Sequence, residues 1–87
     1  MNLAELISKH LRRMNNIRCE CFLNTCRIYC KGKISRRYIG DIYTKRATAS
    51  VYVYAGDCER VTIDFHNPKA FDMLDKIIGD ACDLVNS

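Results

Sequence analysis

The chain has 87 residues, 48% apolar and 28% charged, with six cysteines and one proline. These proportions fit a single globular domain over 1–87 and exclude long disorder, and no apolar run approaches the ~20 residues of a membrane-spanning helix. The charge is divided: residues 1–46 carry eleven Lys and Arg against three acids, net +8, and residues 47–87 carry three against seven, net −4.

A folded surface with that excess attracts polyanions or an acidic protein face. The N-terminus reads Met1-Asn2-Leu3-Ala4-Glu5, with an acid where a secretory signal needs positive charge. The expectation is a cytoplasmic protein whose cysteines are reduced and packed as small apolar residues.

Residues 3–14 read as a helix. Leu3, Leu6, Ile7, Leu11 and Met14 form one stripe. Asn2 is placed to cap it, with Glu5 three residues on, and Asn15-Asn16 tolerates the conformation that ends a helix. Residues 17–31 alternate like a hairpin, with Ile17, Cys19, Cys21, Leu23, Cys26, Ile28 and Cys30 on one face. A two-residue turn at Asn24-Thr25 sets Cys19 opposite Cys30, which makes a Cys19–Cys30 disulfide the alternative to free thiols. Thr25 is a poor residue for the positive φ of such a turn.

Residues 32–46 show no clean period and read equally as a third strand or as an ordered loop. A second hairpin follows. Val61, Ile63 and Phe65 alternate with polar residues, and a three-residue loop at 56–58 sets Val53 opposite Val61 and Val51 opposite Ile63. That register buries the valines and turns Tyr52 and Tyr54 outward. Residues 68–85 form the second helix, with Asn67 as cap and Pro68 in the first position. Phe71, Leu74, Ile77, Ile78, Ala81, Leu84 and Val85 give its apolar stripe, and Asp72 is spaced to pair with Lys76. Gly79 interrupts the helix, as a close approach to the sheet requires.

These elements predict an α+β domain: an antiparallel sheet of four to five strands with the N-terminal and C-terminal helices packed on one face. The order is similar to that of double-stranded RNA-binding domains. However, the lysine cluster those domains carry at the start of the last helix is replaced by Asn67-Pro68-Lys69-Ala70-Phe71-Asp72, so membership is not inferred.

No catalytic set emerges. His10 and His66 stand without a triad, and the glycines form neither a dinucleotide-binding nor a nucleotide-phosphate loop. Cys58 falls in the second hairpin's turn as an exposed thiol without an activating neighbour. Cys19-x-Cys21 and Cys26-x3-Cys30 are poor zinc knuckles, since zinc favours C-x2–4-C pairs, and the apolar alternation already accounts for them. No metal and no cofactor are expected.

The informative constellation is basic and aromatic: Arg27, Lys33, Arg36, Arg37, Lys45 and Arg46 with Tyr38, Tyr52 and Tyr54, supported by Tyr29, Tyr43, Lys31 and Arg60. Tyr and Arg are enriched at protein interfaces. The same pair serves single-stranded nucleic acid, where bases stack on rings beside a charged track. The expected function is therefore non-enzymatic: a small regulator or inhibitor docking this face on an acidic surface of a larger protein or nucleoprotein, of which a mobile element's anti-defence inhibitor is one form. Direct RNA or DNA binding through the same face is the alternative.

Overall fold

The computed structural model describes residues 2–32 and 35–86. The elements run α1 (Leu3–Leu11), β1 (Ile17–Phe22), β2 (Thr25–Lys31), β3 (Arg36–Lys45), β4 (Thr48–Val53), β5 (Glu59–Asp64) and α2 (Ala70–Val85). The strands form one antiparallel sheet in the order β1-β2-β3-β4-β5, so every neighbour in sequence is a neighbour in space. Both helices cover one face, giving the expected α+β architecture, and the other face is open.

α1 begins where expected, with the Asn2 side chain accepting the Glu5 N–H at 2.8 Å. It ends three residues early: Arg12 is its C-cap, and the Asn15-Asn16 pair serves a turn instead. The buried face is Ala4, Ile7, Ser8 and Leu11, while Leu6 turns to solvent. Packing on the flat sheet selects the side with the smallest residues, Ala4 and Ser8, because a helix approaches closely only there.

Both hairpins keep the expected faces within their strands and lose the expected register, and Leu23, expected on the inward face, is an exposed turn residue. In the first, Cys19 opposes Ile28 and Cys21 opposes Cys26. The turn is Leu23-Asn24 rather than Asn24-Thr25, so Thr25 joins β2 and Leu23 takes the positive φ of 56°. In the second, Val51 opposes Val61 and Ala49 opposes Ile63, leaving a longer loop than 56–58. A slip of two residues preserves every side chain's face, whereas a slip of one would invert it.

The irregular stretch becomes β3, the longest strand and the centre of the sheet. Its pattern is broken by a bulge. Ile28 pairs with Gly40 and Tyr29 with Tyr38, which leaves Ile39 as the extra residue. Gly40 is required there, because a Cβ at that position would lie 2.1 Å from the Tyr52 carbonyl oxygen.

α2 starts at Ala70, two residues later than expected. Asn67 accepts the Lys69 N–H at 2.9 Å and so closes the turn that leads into it. Leu74, Ile78, Ala81 and Cys82 are buried. Leu84 is exposed, and Lys76 pairs with Asp80 at 3.2 Å rather than with Asp72. The helices meet where His10 Nε2 lies 2.7 Å from Asp75 Oδ1 and the His10 ring packs on Phe71, with centroids 4.5 Å apart.

Gly79 does not serve close approach: a Cβ there would meet nothing within 4 Å. Gly79→Ala is therefore expected to stabilise the protein by about 1 kcal/mol, since alanine removes glycine's entropy cost within a helix. A chemical-denaturation midpoint that fails to rise would show that the site is not open.

The cysteines depart from the reduced expectation. Disulfides join Cys21 to Cys26 and Cys30 to Cys82, and neither is the Cys19–Cys30 pair considered from sequence. The register explains the first, because Cys21 and Cys26 are directly opposed with Cα atoms 4.0 Å apart. The inward face of α2 explains the second, since it lays Cys82 over Cys30. Cys19 is left buried as a free thiol, and Cys58 is free and exposed, as expected for a turn residue.

Candidate functional site: the open tyrosine face

Antiparallel pairing arranges the open face in rows that cross the sheet. The central row reads Glu20, Arg27, Asp41, Tyr52 and Arg60, one residue from each strand. On one side lie Arg18, Tyr29 and Tyr38, then Lys31 and Arg36. On the other lie Phe22, Thr25, Tyr43, Ser50 and Thr62. All five tyrosines share this face and touch in two groups, one of three rings and one of two. Tyr29 and Tyr38 have centroids 5.8 Å apart, Tyr38 and Tyr54 5.5 Å, and Tyr43 and Tyr52 5.3 Å.

The bulge makes the site. In a regular strand Tyr38 and Asp41, three residues apart, would point to opposite faces. The extra residue Ile39 brings them to the same face, where the Tyr38 hydroxyl donates to Asp41 Oδ2. The Tyr54 hydroxyl donates to the same oxygen at 3.3 Å. Arg27 Nε stands 3.8 Å from Oδ1. Only 7% of Asp41 is exposed, and its buried Oδ1 has no hydrogen-bond partner among the described residues. Arg27 is thus the one positive group beside that buried oxygen among the described residues. Guanidinium groups overlie the rings, with Arg27 5.4 Å from the Tyr38 centroid and Arg36 5.9 Å from Tyr29.

Burial, then the bond to Asp41, then that carboxylate's charge hold the Tyr38 phenol well above its ordinary value. Tyr54 shifts upward for the same reasons. A phenol whose pKa is raised by folding contributes stability below the unfolded value near 10, and that contribution is lost as pH rises through the folded value. An alkaline absorbance titration should show phenols that ionise late. Asp41→Asn should bring Tyr38 and Tyr54 forward by removing the charge. Superimposable titration curves would deny the contact.

The expected contact residues divide. Arg27, Tyr38, Tyr52 and Tyr54 gather around Asp41, and Arg36 stands farther along the same face, over the Tyr29 ring. Arg37 is exposed but pairs with inward-facing Cys30, so strand alternation turns it toward the helix-bearing side. Lys45 and Arg46 lie at the other end of β3, roughly 30 Å from Arg36 at ~3.3 Å per residue. Lys33 lies outside the described residues. Asp41, the residue that organises the cluster, was not singled out from sequence, because only the bulge places it among the tyrosines.

The remaining candidates find structural partners. His66 Nδ1 lies 3.3 Å from Asp64 and His10 bridges the helices. Burial pushes the Cys19 thiol up to about 11, with Ser8 and Arg12 opposing, so it stays protonated at neutral pH. Among the described residues no helix is long and apolar enough to cross a membrane. No protein-family model, curated protein or solved structure matches the chain.

Proposed function

We propose that this protein is a binding module that docks its open sheet face on an acidic surface of a larger protein. The observation that carries the reading is the tyrosine cluster around Asp41, flanked by Arg27 and Arg36. Exposed tyrosines held by ring contacts and by a shared carboxylate lose little conformational freedom on binding, which is what an interface anchor requires. Arg18, Arg27, Lys31, Arg36 and Arg60 outnumber Glu20 and Asp41 across the adjoining rows, so the face favours an acidic partner.

Single-stranded nucleic acid is the second reading, favoured by the rings and guanidiniums together. Two features weigh against it. The basic residues form no continuous track, since Lys45 and Arg46 stand at the opposite end of β3 from Arg36. The rings are also tilted to one another by 49° to 87° rather than offering parallel platforms.

Arg36→Glu and, separately, Tyr38→Ala should each weaken the partner complex by about 100-fold, as interface anchors do. Arg36→Glu should change stability by no more than about 0.5 kcal/mol, being exposed. The measurement is cross-linking and affinity capture by wild type and variants in parallel, with a labelled oligonucleotide titrated beside them. Equal capture by wild type and both variants would remove the face from the contact. Oligonucleotide binding with a log–log salt slope near about −3, as for four phosphate contacts, would replace the protein partner with nucleic acid.

A further inference from the structure

On the other side of the sheet, beneath α1, three cysteines converge. Cys19 and Cys21 are two apart on β1 and therefore share its inward face, and Cys26 opposes Cys21 across the hairpin. Their sulfurs all lie within 4.8 Å of one another, with Cys19 Sγ 3.4 Å from Cys21 Sγ. Cys19 and Cys26 are buried, while Cys21 stands at the exposed edge of the sheet. A surface groove bordered by Arg12, Met14, Arg18 and Glu20 opens onto Cys19 and Cys21.

We propose that this cluster, when reduced, is a binding site for one cuprous ion, and that the Cys21–Cys26 disulfide closes it. Three thiolates around one ion at a metal–sulfur distance of about 2.3 Å lie about 4 Å apart in a trigonal plane. All three sulfurs lie within 4.8 Å of one another, and the side that must open is the Cys21–Cys26 bond, which reduction breaks. Soft thiolates select Cu(I) or zinc. Zinc in a structural site demands a fourth nitrogen, sulfur or carboxylate donor, and among the described residues none joins the group. Cu(I) is satisfied by three. Arg12, which lines the same groove as Cys19 and Cys21, offsets part of the negative charge the complex acquires.

The chemistry balances with a low-molecular-weight thiol as reductant. Two equivalents of that thiol reduce the Cys21–Cys26 bond, yielding two cysteine thiols and one oxidised thiol dimer. Cu(I) then replaces three protons, which pass to solvent, and no electron moves in that step. Oxidation of Cys21 and Cys26 by a disulfide removes two ligands and releases the ion. The site is thus open in a reducing medium and shut in an oxidising one.

The test is anaerobic competition for Cu(I) against a chromophoric cuprous chelator, with the phosphine-reduced protein carrying Cys58→Ser to exclude the exposed thiol. One ion per chain should leave the chelator. Cys19→Ser should weaken binding at least tenfold, although it leaves both disulfide pairs intact. Cys21→Ser, at an exposed position that the fold tolerates, should do the same. The unreduced protein should leave the ion with the chelator. Each variant's melting curve is recorded, so that loss of binding is scored only in folded protein. The proposal is overturned if the reduced protein fails to compete, if Cys19→Ser and Cys21→Ser bind as wild type does, or if the unreduced protein binds equally well. Zinc held more tightly than Cu(I) in the parallel zinc titration would overturn the choice of ion.

Discussion

Ile78→Asp is expected to unfold the domain. Ile78 is 2% exposed at the centre of the α2 stripe, and Leu74 and Ala81 beside it are as deeply buried. They form one core with Ile28, Ile42 and Val51 of the sheet and with Ile7 and Leu11 of α1. An aspartate there either ionises without a partner or protonates, and each route costs several kcal/mol. The apolar contacts of isoleucine are lost as well. A domain of this size has only about 5–15 kcal/mol to lose, and substitutions that cost more than about 4 arise from this kind of burial. Met73→Asp supplies the control. Met73 is on the same helix but 40% exposed, so its replacement should cost about 0.5 kcal/mol or less. Thermal melts of the two variants would separate by tens of degrees. Equal melting temperatures would mean that α2 does not present Ile78 to the sheet.

The comparison of sequence with structure turns on what alternation encodes. Period-two patterning states which face a side chain occupies, and it placed Val51, Val53, Cys26 and Ile28 inside and Tyr29, Tyr52 and Tyr54 outside. It is blind to a register slip of two residues, because such a slip leaves each face unchanged. Turn chemistry should have removed that ambiguity. Here it misled, since the first hairpin puts Leu23 rather than Asn24 at positive φ, and the second connects through a longer loop. Register in turn decides which cysteines meet, so the Cys21–Cys26 pair was hidden although each residue's face was plain.

The site was half legible for a related reason. Tyr38, Tyr52, Tyr54, Arg27 and Arg36 are recognisable by type, and the open face collects them. A bulge follows no simple period, so nothing in Arg36–Lys45 announced that Tyr38 and Asp41 would share a face. The same bulge explains why β3 read as irregular, although it is the centre of the sheet. Charge was the weaker guide. The basic half of the chain is not one patch, because a ten-residue strand carries its two ends far apart.

Loss of the Cys30–Cys82 disulfide should destabilise the protein more than loss of Cys21–Cys26, although both join buried or edge positions of the same sheet face. The first spans 52 residues and ties α2 to the second strand, while the second spans five and only reinforces a hairpin. The chain-entropy relation assigns about 4 kcal/mol to the long loop and about 2 to the short one. Cys82→Ala also removes a residue that is 1% exposed, whereas Cys21 lies at the exposed edge, so packing adds to the difference in the same direction. Denaturation of Cys82→Ala and Cys21→Ala without reductant should rank them in that order. Repeating both with wild type in excess phosphine isolates the cross-link, because all three chains then lack it. The wild type should fall toward Cys82→Ala, leaving a gap of about 1 kcal/mol that belongs to packing alone. A wild type indifferent to the reductant would show that the long cross-link does not form, and that Cys30 and Cys82 are held together by the core around them.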